Sequence, residues 1–457
     1  MINVDSRTKK LKPLSITPAQ AIVIGYLLFD ILATILLSLP FSLNPGMNLS
    51  IIDALFTATS AISVTGLTVV STPETFSFIG KVILTFLLQF GGIGIMTLGT
   101  LFYVLRGTKV NLLTRMMMKS DQNQTSFSGM IKLMLFILKV AIVLEVIGTV
   151  ILTIYFWLFY NMPFDKALGF GSFHSVSGFT NAGFDLFGNS LQNFTQDYFI
   201  QSVISLLLLA GAIGFPVLME LYFYFKALYD KSRFHFSLYT KVTTVTFFIL
   251  LIIGFVMVII SESSSALAGL PWHEKISIAL FHSLNTRSGG FSTIDAGVLH
   301  NAALLFFSLL MFIGASPSSC GGGIRTTTFA IAFLSMLASF RGRSDVRIFR
   351  RELYHENITR AFTVFFIATM LVVGSVFLLT ILEPYTTNEI VFEVCSAFGT
   401  TGLSTGITGD LSTLGKLIII TLMFIGRIGI ISLLLFFQGK TIAGPKYHLL
   451  KERIIIG

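Results

Sequence analysis

Charge is what this 457-residue sequence has least of. Asp, Glu, Lys and Arg make up 12% of it, against about 25% in a soluble globular chain. That is too little to wet the surface of a chain this long, which excludes soluble enzymes, disordered scaffolds and coiled coils. Cysteine is almost missing: Cys320 and Cys395, both in apolar surroundings, make no disulfide framework. The few histidines, His174, His282 and His300 among them, lack metal-ligand spacing. The run Gly402-Leu403-Ser404-Thr405-Gly406 matches G-x-S-x-G, but no alternating soluble sheet surrounds it and the only later histidine is His448, so it is not a nucleophile elbow. What the chain has is 54% hydrophobic residues, 46 of its residues Phe, and a mean hydropathy of +0.83. These describe a polytopic membrane protein.

A helix crossing about 30 Å of hydrocarbon needs roughly 20 apolar residues. Eight segments qualify, near 17–39, 76–105, 131–160, 197–225, 241–261, 299–340, 360–382 and 414–438. The sixth is too long and too polar in its middle to be one uninterrupted helix. The first run exceeds 20 residues, too long for a cleavable signal peptide. Shorter stretches near 51–62, 164–175, 275–287 and 388–399 cannot span and are expected as re-entrant half-helices. The unit is helix, half-helix, helix, written four times: an all-α membrane fold of eight spans around a pseudo-fourfold central pore. The expected organisation is an N-terminal tail 1–16, repeat 17–105, connection 106–130, repeat 131–225, connection 226–240, repeat 241–340, basic connection 341–359, repeat 360–438 and a C-terminal tail 439–457.

The formal net charge of +9 is a matter of topology rather than nucleic-acid binding. Lys and Arg gather in both tails and in the connections between repeats, as in Arg341, Arg343, Arg347, Arg350 and Arg351. The opposite face carries acids such as Asp53, Asp197, Asp295, Glu389 and Asp410. The positive-inside rule then puts both termini in the cytoplasm, and an acidic outer mouth concentrates cations.

After each half-helix comes a turn of small, hydroxyl and glycine residues. The four are Ser63-Val64-Thr65-Gly66-Leu67-Thr68, Ser175-Val176-Ser177-Gly178-Phe179-Thr180, Arg287-Ser288-Gly289-Gly290-Phe291-Ser292 and Gly399-Thr400-Thr401-Gly402-Leu403-Ser404. Their last glycines, Gly66, Gly178, Gly290 and Gly402, recur every 112 residues. Non-helical backbone at membrane depth is tolerated where it lines an aqueous path or is buried in protein. Four such loops can turn backbone carbonyls inward to replace the hydration shell of an alkali cation, and the half-helices aim their negative C-terminal ends at the same axis. The expected filter is Val64, Thr65, Gly66, Val176, Ser177, Gly178, Ser288, Gly289, Gly290, Thr400, Thr401 and Gly402.

This pattern, with Ser177-Gly178-Phe179-Thr180-Asn181-Ala182-Gly183-Phe184 and Thr286-Arg287-Ser288-Gly289-Gly290-Phe291, resembles the Trk/Ktr/HKT superfamily of potassium transporters over essentially the whole chain. About 16 residues precede the first helix, which most resembles the bacterial KtrB/KtrD membrane subunits, since the TrkH branch has two additional N-terminal helices. The resemblance implies a bacterial plasma-membrane potassium uptake pore, with K+ held at filter carbonyls and Gly66 favouring potassium over sodium. It also implies a homodimer on a cytoplasmic ring of KtrA-type nucleotide-binding subunits, with regulation by sodium in some members. The chain itself shows no nucleotide motif and calls for no cofactor beyond the permeant ion and regulatory Na+; its surroundings are lipid, not nucleic acid.

The second helices carry Gly91-Gly92-Ile93-Gly94, Gly211-Ala212-Ile213-Gly214 and Gly426-Arg427-Ile428-Gly429. The third repeat begins similarly at Gly314 and departs into Ala315-Ser316-Pro317-Ser318-Ser319-Cys320-Gly321-Gly322-Gly323-Ile324-Arg325-Thr326-Thr327-Thr328. Proline and three glycines cannot continue an ordinary helix, so 314–328 is expected as a polar, flexible intramembrane loop; the resemblance makes it the gate below the filter. Arg427, in an apolar helix, needs a water-filled path or a partner, such as an ion pair with Asp30, Glu145 or Glu220; the resemblance places it beneath the filter, as an electrostatic barrier near the gate loop. Arg287 is expected to hold the loop scaffold, to Asp295 or another outer acid. Rival functions are an alternating-access transporter, which typically shows inverted repeats, a sodium-permeable pore of the same fold, and an intramembrane enzyme, for which the acids are too scattered.

Overall fold

The computed structural model describes residues 17–94, 112–122, 129–343 and 345–438, with residues 97, 99, 100 and 106 besides. The tails 1–16 and 439–457, most of 95–111 and 123–128 lie outside the described residues. Repeat 1 is built from α1 (Pro18–Ser38), α2 (Ile51–Ser63) and α3 (Phe78–Ile93), followed by the connecting helix α4 (Leu112–Asp121). Repeat 2 is α5 (Met130–Phe159), α6 (Phe164–Thr180), α7 (Tyr198–Ala212) and α8 (Phe215–Tyr229). Repeat 3 is α9 (Leu238–Glu262), α10 (Trp272–Asn285), α11 (Asn301–Ile313) and α12 (Thr326–Phe340). A two-stranded hairpin, β1 (Arg347–Ile348) and β2 (Arg351–Glu352), turns within the basic connection. Repeat 4 is α13 (His355–Leu382), α14 (Thr387–Gly399), α15 (Thr413–Ile428) and α16 (Ile430–Gln438).

Among the described residues the four helices long and apolar enough to cross a membrane are α1, α5, α9 and α13, the first of each repeat. Helix α1 starts where its local chemistry directs: Thr17 caps it, Gln20 returns the bond in a capping box, and Pro18 occupies the first turn. Its exposed face is Leu27, Leu28, Ile31, Leu32 and Ile35, a patch that suits lipid and not water.

Each second helix is broken, where only the third was expected to be. α7 and α8 meet at 102° and α15 and α16 at 96°, and α3 stops at Gly94. The breaks fall on Gly94, Gly214, Gly314 and Gly429, with φ of 94, 101, 62 and 86°, a backbone region that side chains with a Cβ avoid. Gly314 therefore corresponds to the fourth residue of the glycine motif rather than to its first.

In lipid, helices associate through close packing and interhelical hydrogen bonds. Gly148 of α5 lies against Ser175 of α6, Gly171 of α6 against Thr153 of α5, and Gly254 of α9 against Ser283 of α10. Three of the four half-helices are also hydrogen-bonded to the long helix before them. Thr59 Oγ1 donates to Asp30 at 2.7 Å, Ser175 Oγ to the Glu145 carbonyl at 2.7 Å, and Ser283 Oγ to the Leu251 carbonyl at 2.7 Å. These contacts hold the half-helices at the depth where their C-termini meet.

Candidate functional site

Helix α2 ends at Ser63 and passes into Val64 (φ 58°), Thr65 and Gly66 (φ 91°). Helix α14 ends at Gly399 and passes into Thr400 (φ 46°), Thr401 and Gly402 (φ 90°). After α10 the chain makes a further turn through Thr286 and Arg287 before Ser288 (φ 78°), Gly289 and Gly290 (φ 75°).

The second repeat departs from the 112-residue register. Helix α6 runs on to Thr180, so Val176, Ser177 and Gly178 are helical, and the turn is Asn181 (φ 61°), Ala182 and Gly183 (φ 68°). The hydrogen bonds make the correspondence definite. Val64, Asn181 and Thr400 donate at 3.2 Å to Ala61, Gly178 and Ala397; Thr65, Ala182 and Thr401 donate at 2.8 Å to Ser60, Ser177 and Ser396. Asparagine tolerates the left-handed cap better than most residues, which lets α6 gain its extra turn. Gly178 only packs: a methyl group there would meet Leu207 and Ile204 at 3.5 Å or more.

Gly66, Gly183, Gly290 and Gly402 abut in closed order. A methyl group on Gly66 would lie 3.1 Å from Gly183 Cα, and one on Gly183 2.7 Å from Gly290 Cα. One on Gly290 would lie 2.6 Å from the Thr401 oxygen, and one on Gly402 3.0 Å from Gly66 Cα. No side chain fits in this ring, and each of its members follows the C-terminus of a half-helix.

The segment 314–323 packs against that ring. Gly322 N–H faces Ser288 Oγ at 3.4 Å, and a methyl group on Gly322 would come within 2.6 Å of the Thr400 side chain. Residues 314–322 are buried rather than loosely held. Ser316 and Cys320 donate to the Ala212 and Gly211 carbonyls at 3.2 and 3.0 Å, and Phe215 donates to the Ser318 carbonyl at 2.8 Å. Tyr239 donates to the Pro317 carbonyl at 2.6 Å. Ser319 Oγ donates to the Ser316 carbonyl at 2.6 Å, and Gly321 and Gly323 complete the close approach.

Arg427 pairs with none of the intramembrane acids. It donates to the Cys320 carbonyl, and to the Gly91 and Gly92 carbonyls at the C-terminal end of α3, the latter at 3.1 Å. Asp30, Glu145 and Glu220 accept instead from Thr59, Gln89 and Ser237. Arg287, fully buried, likewise donates to the Leu310 carbonyl in the last turn of α11. Asp295 is occupied in capping the short helix Ala296–Val298. Both arginines thus sit at the C-terminal end of a helix, beside the negative end of its dipole. Arg325 donates to the Gly321 carbonyl.

A family model described as "TrkH: Cation transport protein" matches residues 8–443. The chain belongs to the TrkH cation transport protein family. Similar relatives are Ktr system potassium uptake protein D of Bacillus subtilis, 48% identical over 97% of this chain and 98% of the relative, and Potassium/sodium uptake protein NtpJ of Enterococcus hirae, 37% identical over 97% and 98%. Ktr system potassium uptake protein B of Bacillus subtilis is 38% identical over 93% of each. The fold is similar to the crystal structure of the potassium transporter TrkH from Vibrio parahaemolyticus, with a TM-score of 0.70 and 19% identity, covering 94% of this chain and 86% of that one. As a TrkH-family member the chain is a multi-pass membrane transport protein and not an enzyme.

This TrkH-family site has a layer that the sequence reading passed over. His174, His282 and Glu393 stand nine, eight and nine residues before Gly183, Gly290 and Gly402, buried behind the turns. His174 Nε2 accepts from the Leu186 N–H at 3.3 Å, and His282 Nε2 meets Thr293 Oγ1 at 3.2 Å. Glu393 accepts from Ser404, from the Thr405 N–H at 3.1 Å and from Thr408 at 2.9 Å. The signal was their distance of eight or nine residues from the turn glycine, which the 112-residue register concealed in repeat 2.

Proposed function

We propose that this chain is the pore-forming membrane subunit of a bacterial potassium uptake system. Its filter is the set of turns Val64–Gly66, Asn181–Gly183, Ser288–Gly290 and Thr400–Gly402, whose carbonyls replace the water around K+. The closed ring of four abutting glycines, each following the C-terminal end of a half-helix, carries this reading: it admits no side chains and gathers four negative helix ends. The segment 314–328, with Arg325 and Arg427, is the gate: it obstructs the path beneath Ser288 and Thr400, and K+ runs down its electrochemical gradient when it moves aside. The broken second helices complete eight crossings, counted as four pairs that flank the half-helices. Both termini face the cytoplasm, where the basic connection 341–359 and the C-terminal tail dock a KtrA-type nucleotide-binding ring, beneath a homodimer of pores.

The test is growth at low potassium of cells lacking potassium uptake, expressing the chain with and without a ring subunit. Gly66→Ser is expected to weaken selectivity for potassium over sodium, and Gly290→Ser or Gly402→Ser to impair uptake. Normal selectivity and uptake in all three would sink the filter assignment. Deleting part of 316–324 is expected to raise flux without the ring. A relative named for both potassium and sodium uptake makes a sodium-permeable pore the second reading, which the Gly66→Ser comparison separates by ion.

A further inference from the structure

Beneath the glycine ring two guanidinium groups face one cavity. Arg325 and Arg427 line the same small cavity of about 20 Å³, together with Tyr26, Ser318, Ser319 and Ser432. Among the described residues no carboxylate lies within ion-pair range of either guanidinium. Each arginine spends part of its fork on the peptide carbonyls of one short stretch, Arg427 on Cys320 and Arg325 on the next residue, Gly321. The Nε of Arg427 and the Nε and Nη2 of Arg325 make no hydrogen bond among the described residues. Arg325 is also the residue before the first turn of α12, so the positive end of that 15-residue helix adds to the same field.

Two like charges at membrane depth repel each other and are expensive without a counter-charge. Carbonyl dipoles satisfy hydrogen bonds but supply no net negative charge. The cavity has room for about one particle of water size, too little for a phosphate or a carboxylate but enough for a halide. The guanidinium N–H groups left over, Nε of Arg427 and Nε and Nη2 of Arg325, offer donors to an anion.

We propose that this cavity is a binding site for a small monovalent anion, chloride in the cell, held between Arg325 and Arg427. The inference rests on the gate reading above for its consequence but not for its existence. A route in is present: Arg325 also walls a larger cavity of about 460 Å³ that reaches Tyr239, Thr328, Asn357 and Arg360. A bound anion cancels the repulsion that the two arginines exert on a cation leaving the glycine ring, so occupancy raises cation flux.

The test has two arms. Crystals of the full chain grown in sodium bromide are examined by anomalous scattering at the bromine edge. A peak between Arg325 and Arg427 is expected, lost in Arg325→Gln and in Arg427→Gln and kept in Arg325→Lys. Only non-anomalous, water-like density in the parent protein would overturn the site. In the second arm, rubidium flux into vesicles carrying the protein is compared in chloride and in gluconate, which is too large for the cavity. Roughly tenfold lower flux in gluconate is expected, as for restoring about one screened unit charge beside the path, with the difference abolished in Arg325→Gln. Equal flux in both anions would overturn the regulatory role. A bromide peak in a protein that passes no rubidium would sink the pore reading and leave the anion site standing.

Discussion

Lys416 in the first turn of α15 donates from Nζ to Asp53 Oδ1 in the first turn of α2 at 2.8 Å, which ties the last repeat to the first across 363 positions of sequence. It is the ion pair that closes the circle of repeats. Burial pushes the Asp53 carboxyl upward, but the hydrogen bonds from Lys416 and Ser50 and the charge of Lys416 outweigh it, and the net shift is downward. A carboxyl held below its unfolded value contributes stability that is whole above the unfolded value, near pH 4, and is lost as the pH falls through the folded one. Thermal unfolding of Lys416→Met against the parent protein is expected to show a gap of about 1 kcal/mol or less at neutral pH, closing below pH 4. A gap that stays constant down to pH 3 would mean that the pair does not contribute through charge.

Gly178 and Gly183 offer a direct comparison. Gly183→Ala places a methyl group 2.7 Å from a backbone carbon of Gly290, in a left-handed conformation, and no rotamer can relieve that. Overpacking and backbone strain together are expected to cost about 2–4 kcal/mol and to abolish cation transport. Gly178→Ala falls inside α6 with ordinary contacts, so it should be neutral or stabilising by about 0.5–1 kcal/mol. Flux and unfolding measured on both variants check the register: loss of transport in Gly178→Ala with Gly183→Ala intact would restore the 112-residue spacing.

The four-repeat plan, the long first helices and the half-helices were legible because they rest on hydrophobic length, which lipid enforces strictly. Turns 64–66, 288–290 and 400–402 were legible because glycine and small residues mark them. Repeat 2 misled because Gly178-Phe179-Thr180 imitates the turn while Asn181-Ala182-Gly183 forms it, and only the backbone path distinguishes a packing glycine from a left-handed one. The breaks at Gly214 and Gly429 were hidden because apolar residues continue on both sides. The carbonyl partners of Arg427 belong to other repeats and that of Arg287 to the far end of the next helix, and no local pattern announces a backbone acceptor.

Glu393 provides a test of the layer behind the turns. Replacing it with Leu leaves Ser404, Thr408 and the Thr405 N–H without their acceptor in a buried place, where each lost partner costs about 1–3 kcal/mol. Glu393→Gln keeps one oxygen acceptor and is expected to retain most stability and transport, while Glu393→Leu loses both. His282→Leu, which removes one side-chain hydrogen bond, to Thr293, and replaces the ring stacked on Phe307 with another apolar group, should be milder than Glu393→Leu in the same unfolding assay. Equal effects of the two Leu variants would indicate that volume rather than hydrogen bonding sets the position of the turns.

The fit of Gly322 beneath Thr400 decides whether 314–323 is an obstruction or a structural brace. A methyl group on Gly322 meets the Thr400 side chain at 2.6 Å and the Gly426 carbonyl at 2.8 Å. The first contact can be relieved by trimming the side chain and the second cannot. Gly322→Ala is therefore expected to push the segment away from the glycine ring and raise basal cation flux severalfold in vesicles lacking any partner subunit. Adding Thr400→Ser, which removes the methyl group but keeps the hydroxyl that also lies at 2.6 Å, should bring the flux only part of the way back, because the hydroxyl and backbone contacts remain. An obstruction predicts this order of leak: parent lowest, double variant intermediate, Gly322→Ala highest. A brace predicts the reverse, with flux falling as the segment is displaced in protein that still unfolds cooperatively, and that result would remove the gate from this part of the chain.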